Sequence, residues 1–303
     1  MAEGSSRYDI VVLGGGSGGY ACALRAAELG KRVALIEKDR VGGTCLHRGC
    51  IPTKALLHAA ETADHARNSA SVGVKTTFEG IDVPGVQSYK DGVVDRLWKG
   101  LQSTIASRKI DTIEGSGRLE SPHSVRVGDT IYEAEHIVLA SGSQPRSLPG
   151  LDIDGQRVIT SDHALKLDRV PESVVVLGGG VIGVEFASVW RSFGAEVTIV
   201  EMLPQLLPLE DETSAKLLQR AFRRRGIRFE LGASFESVKH TDTGVTVTLK
   251  GGKTIDADLL LVAVGRGPVS DGLGYEEVGV AMEQRGGEKG DASQQLNADK
   301  DRR

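Results

Sequence analysis

The first forty residues alternate between continuous apolar runs and glycine-rich or amphipathic stretches. The run Ile10-Val11-Val12-Leu13 is followed by a cluster of glycines, and residues 21–29 then place apolar side chains at helical spacing. A second apolar run, residues 33–36, ends at Glu37. Short continuous apolar runs are typical of strands buried on both faces of a parallel sheet. The pattern therefore predicts a strand, a tight turn, a helix and a second strand.

The same pattern recurs at a constant offset in the second half of the chain. Residues 174–177 and 197–200 are apolar, they enclose a second glycine cluster, and Glu201 stands where Glu37 stands in the first half. Each half later shows a β-rich stretch that leads into an apolar run and a glycine, at residues 136–142 and 259–265. We predict an α/β fold of two Rossmann-like domains, each with a parallel sheet, helices and a small antiparallel β-meander.

Both glycine clusters have the spacing G-x-G-x-x-G. In this motif one glycine makes the turn, one lets the backbone approach a pyrophosphate and one allows close helix packing, while the helix N-terminus holds the phosphates. A lone motif could simply be a turn that connects strand and helix, but two matched copies weaken that alternative. The glutamate after each second strand can bind a ribose diol, and it disfavours a 2′-phosphate. The predicted residues are Gly14, Gly16, Gly19 and Glu37 in one site, and Gly178, Gly180, Gly183 and Glu201 in the other.

Two cysteines, Cys45 and Cys50, lie just after the first motif. Their spacing alone would fit two buried thiols or half of a zinc site, and no metal site is predicted. Pro52 and the amphipathic run after it predict a helix that begins near Cys50. A helix N-terminus stabilises a thiolate, so this position favours redox chemistry, with Cys45 available for thiol–disulfide exchange. Cys22, in the first predicted helix, is interpreted as a packing residue.

Composition narrows the class of protein. The chain has 303 residues and a formal net charge of −4, so no excess of basic residues indicates binding to nucleic acid or to an anionic membrane. It shows no charged segment followed by an apolar one at the N-terminus and no apolar stretch of about 18 residues, which favours a cytoplasmic protein. Three cysteines do not make a structural disulfide framework, so a disulfide here would be catalytic.

Residues 43–58, GTCLHRGCIPTKALLH, resemble the flavin-dependent pyridine nucleotide–disulfide oxidoreductases, and within them the dihydrolipoamide dehydrogenases. The resemblance implies that the first motif binds FAD and the second binds NAD. It implies that Cys50 lies against the flavin, that Cys45 exchanges with a dithiol substrate, and that Lys54 pairs with Glu185 near the flavin. Further FAD contacts would be Thr44, Lys54, Gly117, Ser141, Gly142 and Ser143, further NAD contacts would be Val238 and Gly265, and Glu185 would be a further cofactor-binding residue. His47 is interpreted as a loop histidine.

The resemblance also predicts domains and partners. It implies an FAD domain at residues 1–149, an NAD domain at 150–272, and at 273–303 a remnant of the FAD-domain return segment with a disordered polar tail. Relatives continue into a dimerisation domain that this sequence does not show, so we expect a C-terminally truncated member of a homodimeric family, with its dihydrolipoamide dehydrogenase activity impaired by the loss of that domain. The expected partners are dihydrolipoyl groups of 2-oxoacid dehydrogenase complexes. Two alternatives stay open: a non-catalytic nucleotide-binding or interaction fragment, and a diaphorase-like NADH oxidoreductase.

Overall fold

A computed structural model describes residues 7–282 of the chain. The first half forms, in order, β1 (Arg7–Leu13), α1 (Ser17–Glu28), β2 (Val33–Glu37), α2 (Gly43–Arg48), α3 (Cys50–Asn68), a 3₁₀ helix (Ser69–Val72), α4 (Val83–Ser107), β3 (Asp111–Glu114), β4 (Gly117–Ser121), β5 (Ser124–Val127), β6 (Thr130–Leu139) and β7 (Ser143–Pro145).

The second half repeats the alternation of strands and helices. Its elements are β8 (Val158–Ile159), α5 (Ser161–Ala164), β9 (Ser173–Leu177), α6 (Val181–Phe193), β10 (Glu196–Glu201), α7 (Glu212–Arg224), β11 (Arg228–Leu231), β12 (Phe235–His240), β13 (Val245–Leu249), β14 (Thr254–Ala257), β15 (Leu259–Val262) and β16 (Arg266–Pro268). No helix within residues 7–282 is both long and apolar enough to cross a bilayer.

Within the described residues, the first compact unit comprises residues 7–47, 94–144 and 267–282. Its sheet has the order β3-β2-β1-β6-β5-β4, with β3, β2, β1 and β6 parallel and with β5 and β4 antiparallel. Successive residues of β1 enter different clusters: Val11 packs with the β4 and β5 side chains, and Val12 packs with α1. Both are fully buried, which explains the continuous apolar run. The antiparallel strands join the parallel sheet because β6 is long enough to pair with β1 and β5.

The second compact unit comprises Arg48–Val93 and Pro145–Arg266. Its parallel sheet has the order β11-β10-β9-β15-β8, and a separate antiparallel sheet has the order β12-β13-β14. The layering repeats that of the first unit: Val176 of β9 packs with α6, whereas Val175 packs with β13. The fold class predicted from the sequence is therefore confirmed.

Each compact unit is built from separate stretches of the chain, whereas the predicted domains are continuous. Helix α3 and the start of α4 group with the second unit, because Leu56 and Ala60 of α3 pack in the core cluster that contains Phe186. Near the end of the described chain, Tyr275 and Val280 are buried in the core of the first unit, as a return segment requires. Residues 283–303, predicted to be disordered, lie outside the described residues.

Candidate dinucleotide and disulfide sites

The three predicted glycines of the first motif have separate structural roles. Gly14 ends β1 with a φ of +110°, and a Cβ there would lie 2.2 Å from the carbonyl oxygen of Ala140. A Cβ on Gly19 would lie 1.8 Å from the carbonyl oxygen of Gly14, so the first turn of α1 packs directly on the loop. At Gly16 the nearest atom to such a Cβ would be 3.9 Å away, in Gly43. The backbone at Gly16 is therefore open to a ligand.

Glu37 faces the same loop from the end of β2. Its Oε2 accepts a hydrogen bond from the Gly15 amide at 2.7 Å, and its Oε1 accepts one from the Asp39 amide at 3.0 Å. A carboxylate offers about four acceptor sites, so about two remain for a ribose diol. No side chain caps the N-terminus of α1, and its free amide groups suit a phosphate.

A cleft of about 440 Å³ lies beside the first motif, within the first unit. The predicted residues that line it are Gly16, Thr44, Cys45, Gly142 and Ser143. Gly117 lies under the ends of β1 and β2, where a Cβ would come within 2.5 Å of Leu13. Ser141 precedes Gly142 in the turn after β6. The fold thus gathers the glycine motif, the start of the cysteine segment and the turn after β6, in an arrangement that fits a bound dinucleotide.

The second motif repeats this geometry closely. Gly178 also has a φ of +110°, and a Cβ there would lie 2.3 Å from the carbonyl oxygen of Ala263. A Cβ on Gly183 would lie 2.0 Å from the carbonyl oxygen of Gly178, whereas one on Gly180 would meet no atom within 4 Å. No side chain caps the N-terminus of α6. As in the first motif, the first glycine makes the turn, the second leaves the backbone open to a ligand, and the third allows close packing.

Glu201 is held as Glu37 is, but it is more deeply buried. Only 9% of its surface is exposed. Its Oε2 accepts from the Gly179 amide at 2.6 Å, and its Oε1 accepts from the Leu203 amide at 2.8 Å. The chain supplies two donors that fix the carboxylate and leaves its remaining acceptor positions for a diol. This donor set fits a dinucleotide without a 2′-phosphate.

The two remaining residues predicted for the second site lie on different elements. Gly265, with a φ of +119°, follows β15, the strand that pairs with β9. Val238 lies in β12 opposite Val247, and its side chain packs on the apolar cluster that contains Val200. Its side chain is only partly buried by these contacts.

Cys45 and Cys50 form a disulfide, and α3 begins at Cys50 with no side-chain cap. The helix therefore presents its N-terminal amide groups at the sulfur predicted to become a thiolate. One turn later, Lys54 donates from Nζ to Glu185 Oε1 of α6 at 2.5 Å. The pairing of these two side chains, predicted from the resemblance, is present. The Lys54 side chain is 60% exposed and that of Glu185 is 20% exposed.

The cysteine segment also makes long-range contacts that the sequence did not predict. His47 lies in helix α2 rather than in a loop, and its Nε2 is 3.0 Å from the carbonyl oxygen of Val41. Its ring meets the ring of Trp98 at 6.1 Å in a T-shaped arrangement, and the Arg40 guanidinium lies 4.5 Å from the same indole. Trp98 is 51 residues away in α4, and no local pattern predicts this contact. Within residues 7–282, no cluster of three or more His, Cys, Asp or Glu side chains could hold a metal ion.

Comparison with known proteins gives consistent matches. The model of the family described as pyridine nucleotide-disulphide oxidoreductase matches residues 8–301. Dihydrolipoyl dehydrogenase of Bacillus subtilis is 39% identical over 92% of this chain and 63% of its own length. Dihydrolipoyl dehydrogenase 3 of Pseudomonas aeruginosa is 42% identical over 92% of this chain and 62% of its own length. The Cu(II) complex of the HOCl-induced flavoprotein disulfide reductase RclA from Escherichia coli has a TM-score of 0.83 at 33% identity, over 97% of this chain and 64% of that one.

These matches define the family and the extent of the likeness. The chain spans about three fifths of the length of the curated relatives that it matches. Members of the family use FAD and NAD. The family model covers nearly the whole sequence, and the two glycine motifs, their glutamates and the disulfide are in place. The chain therefore belongs to the pyridine nucleotide-disulphide oxidoreductase family.

Proposed function

We propose that this chain carries the two dinucleotide sites and the redox disulfide of a dihydrolipoyl dehydrogenase-type oxidoreductase. FAD would be held by the first motif, Glu37 and the adjoining cleft, and NAD by the second motif and Glu201. The observation that carries the proposal is the combination of two equivalent nucleotide motifs with a disulfide at the start of α3. Neither motif alone would distinguish a redox enzyme from other nucleotide-binding proteins.

The disulfide gives Cys45 and Cys50 different roles. A thiolate of the dithiol substrate attacks the Cys45 sulfur, the Cys45–Cys50 bond breaks, and Cys50 leaves as a thiolate that the N-terminus of α3 stabilises. The second substrate thiolate then attacks the mixed disulfide and releases Cys45, so the substrate is oxidised and both cysteines are reduced. Bound FAD and NAD would supply the two-electron transfer that restores the disulfide. Lys54 and Glu185 would position α3 against α6 during this cycle.

The substrate and the setting are part of the same proposal. By likeness to the dihydrolipoyl dehydrogenases, the dithiol would be a dihydrolipoyl group of a 2-oxoacid dehydrogenase complex. Homodimerisation, the cytoplasmic location and the lack of nucleic-acid or membrane partners stay predictions from the sequence. The disulfide favours this proposal over a diaphorase-like enzyme, which would need only flavin and nicotinamide.

The test is dihydrolipoamide-dependent formation of NADH by the purified 303-residue chain supplied with FAD. We expect turnover that the Cys45→Ser variant abolishes. The matched control is Cys22→Ser, since Cys22 is a free cysteine in α1; this variant should keep its activity. NADH formation that survives Cys45→Ser would contradict the proposal. NADH oxidation by artificial acceptors that persists in Cys50→Ser, without any dihydrolipoamide turnover, would favour the diaphorase-like alternative. Nucleotide binding without any turnover would favour the non-catalytic one.

A further inference from the structure

The loop that follows Glu201, residues 202–207, is fixed to the second glycine motif. The Leu207 amide donates to the carbonyl oxygen of Gly179 at 2.8 Å. Leu206 is fully buried, and a Cβ on Gly179 would lie 2.7 Å from its Cδ2. Gly179 also donates its amide to Glu201. Gly179, which stands between the first two motif glycines, therefore contacts Leu206 and Leu207 and also donates its amide to the Glu201 carboxylate.

The first half of the chain has a simpler version of this arrangement. The Gly42 amide donates to the carbonyl oxygen of Gly15 at 2.8 Å, and the residue before it, Val41, is buried in the core. The donor residue is left-handed in both halves, with a φ of +120° at Gly42 and +51° at Leu207. Glycine adopts this conformation freely, but leucine does so only when its surroundings impose it. The left-handed conformation of Leu207 therefore indicates that tertiary contacts fix the backbone of the loop 202–207.

We propose that Leu206 and Leu207 form a brace that sets the selectivity of the second site for a dinucleotide without a 2′-phosphate. The inference rests on the proposed function. It makes Leu206 a positioning residue, because it acts on the ligand only through Gly179 and Glu201.

Diol binding at Glu201 depends on the geometry of its hydrogen bonds. A carboxylate binds a ribose diol well only when its free acceptor positions point at both hydroxyls, and that orientation depends on the Gly179 and Leu203 amides. Removing the Leu206 side chain would let the Gly179 peptide shift into the space left behind. The two residues after Glu201, Met202 and Leu203, are apolar, so the start of the loop offers no cation to a 2′-phosphate. Loosening the brace should therefore weaken the binding of NADH and leave the binding of NADPH nearly unchanged.

The experiment compares Leu206→Ala with Leu165→Ala. Both leucines are buried in the same core cluster, at 0% and 3% exposure, but only Leu206 contacts the motif. Affinities for NADH and NADPH are measured by fluorescence titration. We expect Leu206→Ala to bind NADH about tenfold more weakly, the equivalent of one well-made charged hydrogen bond, with the ratio of the two affinities falling by the same factor. Leu165→Ala should keep the wild-type ratio, and Leu206→Met, which conserves volume, should restore it.

A second readout needs no nucleotide. Amide hydrogen exchange at Gly179 and Leu203 should accelerate in Leu206→Ala, beyond the change that its global stability explains, and not in Leu165→Ala. If Leu206→Ala does not fold, the smaller deletion Leu206→Val should shift both readouts in the same direction. Equal affinity ratios and equal exchange in the alanine variants would overturn the proposal. If the proposed function is wrong, the result differs: the unmodified chain would bind neither NADH nor NADPH, while the Gly179 and Leu203 amides stay protected from exchange. That result would also overturn the role of Leu206 and Leu207 in selectivity.

Discussion

Two alanine substitutions in the second motif should separate folding from binding. In Gly183→Ala the new Cβ would stand 2.0 Å from the carbonyl oxygen of Gly178 and 3.1 Å from Val176 Cγ1, where an ordinary contact is 3.4–4 Å. The nearer obstacle is backbone, so α6 must move away from the loop. Overpacking of this kind costs about 1–3 kcal/mol, and we expect a loss near the upper end, about 3 kcal/mol.

Gly180→Ala should have the opposite profile. Its φ of −75° suits any residue, and its Cβ would meet no protein atom within 4 Å, so its stability should stay within about 0.5 kcal/mol of wild type. The Cβ would instead occupy the space through which the backbone is proposed to approach a pyrophosphate. We expect NADH to bind at least about tenfold more weakly, or about 1.4 kcal/mol.

Urea unfolding and NADH titration of both variants test this reasoning. Gly183→Ala should lower the unfolding midpoint, and Gly180→Ala should leave the midpoint unchanged while it weakens binding. The reasoning is refuted if Gly180→Ala binds NADH as the wild type does, or if the two variants unfold at the same denaturant concentration.

Three further predictions concern other side chains. Glu201→Arg removes the acceptor of two amide hydrogen bonds and should shift preference from NADH toward NADPH, whereas unchanged titration curves for both would count against this assignment. The hydrogen bond from Arg169 lowers the pKa of Asp258 below its ordinary value of 3.8. The ionised Asp258 carboxylate therefore stabilises the fold fully above pH 3.8, and this stabilisation is lost as the pH falls through the folded-state pKa. The difference in urea midpoint between wild type and Asp258→Asn should therefore shrink in acid, and a constant difference would refute the argument. Ser192→Ala breaks a 2.6 Å hydrogen bond to Asp64 that joins α6 to α3, and it should lower the free energy of unfolding in urea by about 1–2 kcal/mol. An unchanged free energy of unfolding would show that this hydrogen bond does not stabilise the fold.

The parts of the fold that could be predicted are those that leave a local pattern in the sequence, such as an apolar run or a fixed glycine spacing. Residues of β1 and β9 are buried on both faces, so they appear as continuous apolar runs. The motif glycines are needed because a Cβ would collide with backbone at the first and third positions, and this need leaves a fixed spacing in the sequence. Glu37 and Glu201 come at the ends of strands, where that pattern stops. Period, spacing and end position were sufficient to predict the strands, the glycine turns and the position of both carboxylates.

Features that depend on distant contacts were not predictable. The grouping of α3 with the second unit depends on side chains such as Leu56 meeting a helix more than a hundred residues away. His47 and Trp98 form a similar case. The sequence gives no glycine signal at Leu207, because its left-handed conformation is imposed by the surrounding loop rather than by its own preference. Such positions are where local propensity and tertiary structure disagree, and they often mark function.

In the proposed function, one chain assembles a flavin site and a redox disulfide that act together. The decisive measurement is the visible absorption spectrum of the FAD-loaded, desalted protein before and after dihydrolipoamide is added. We predict that the flavin stays with the protein and that a new long-wavelength band appears on reduction, because a Cys50 thiolate would donate charge to the electron-poor ring. Cys22→Ser should keep this band and Cys50→Ser should lack it. Loss of the flavin on desalting, or the same band in Cys50→Ser, would contradict the account.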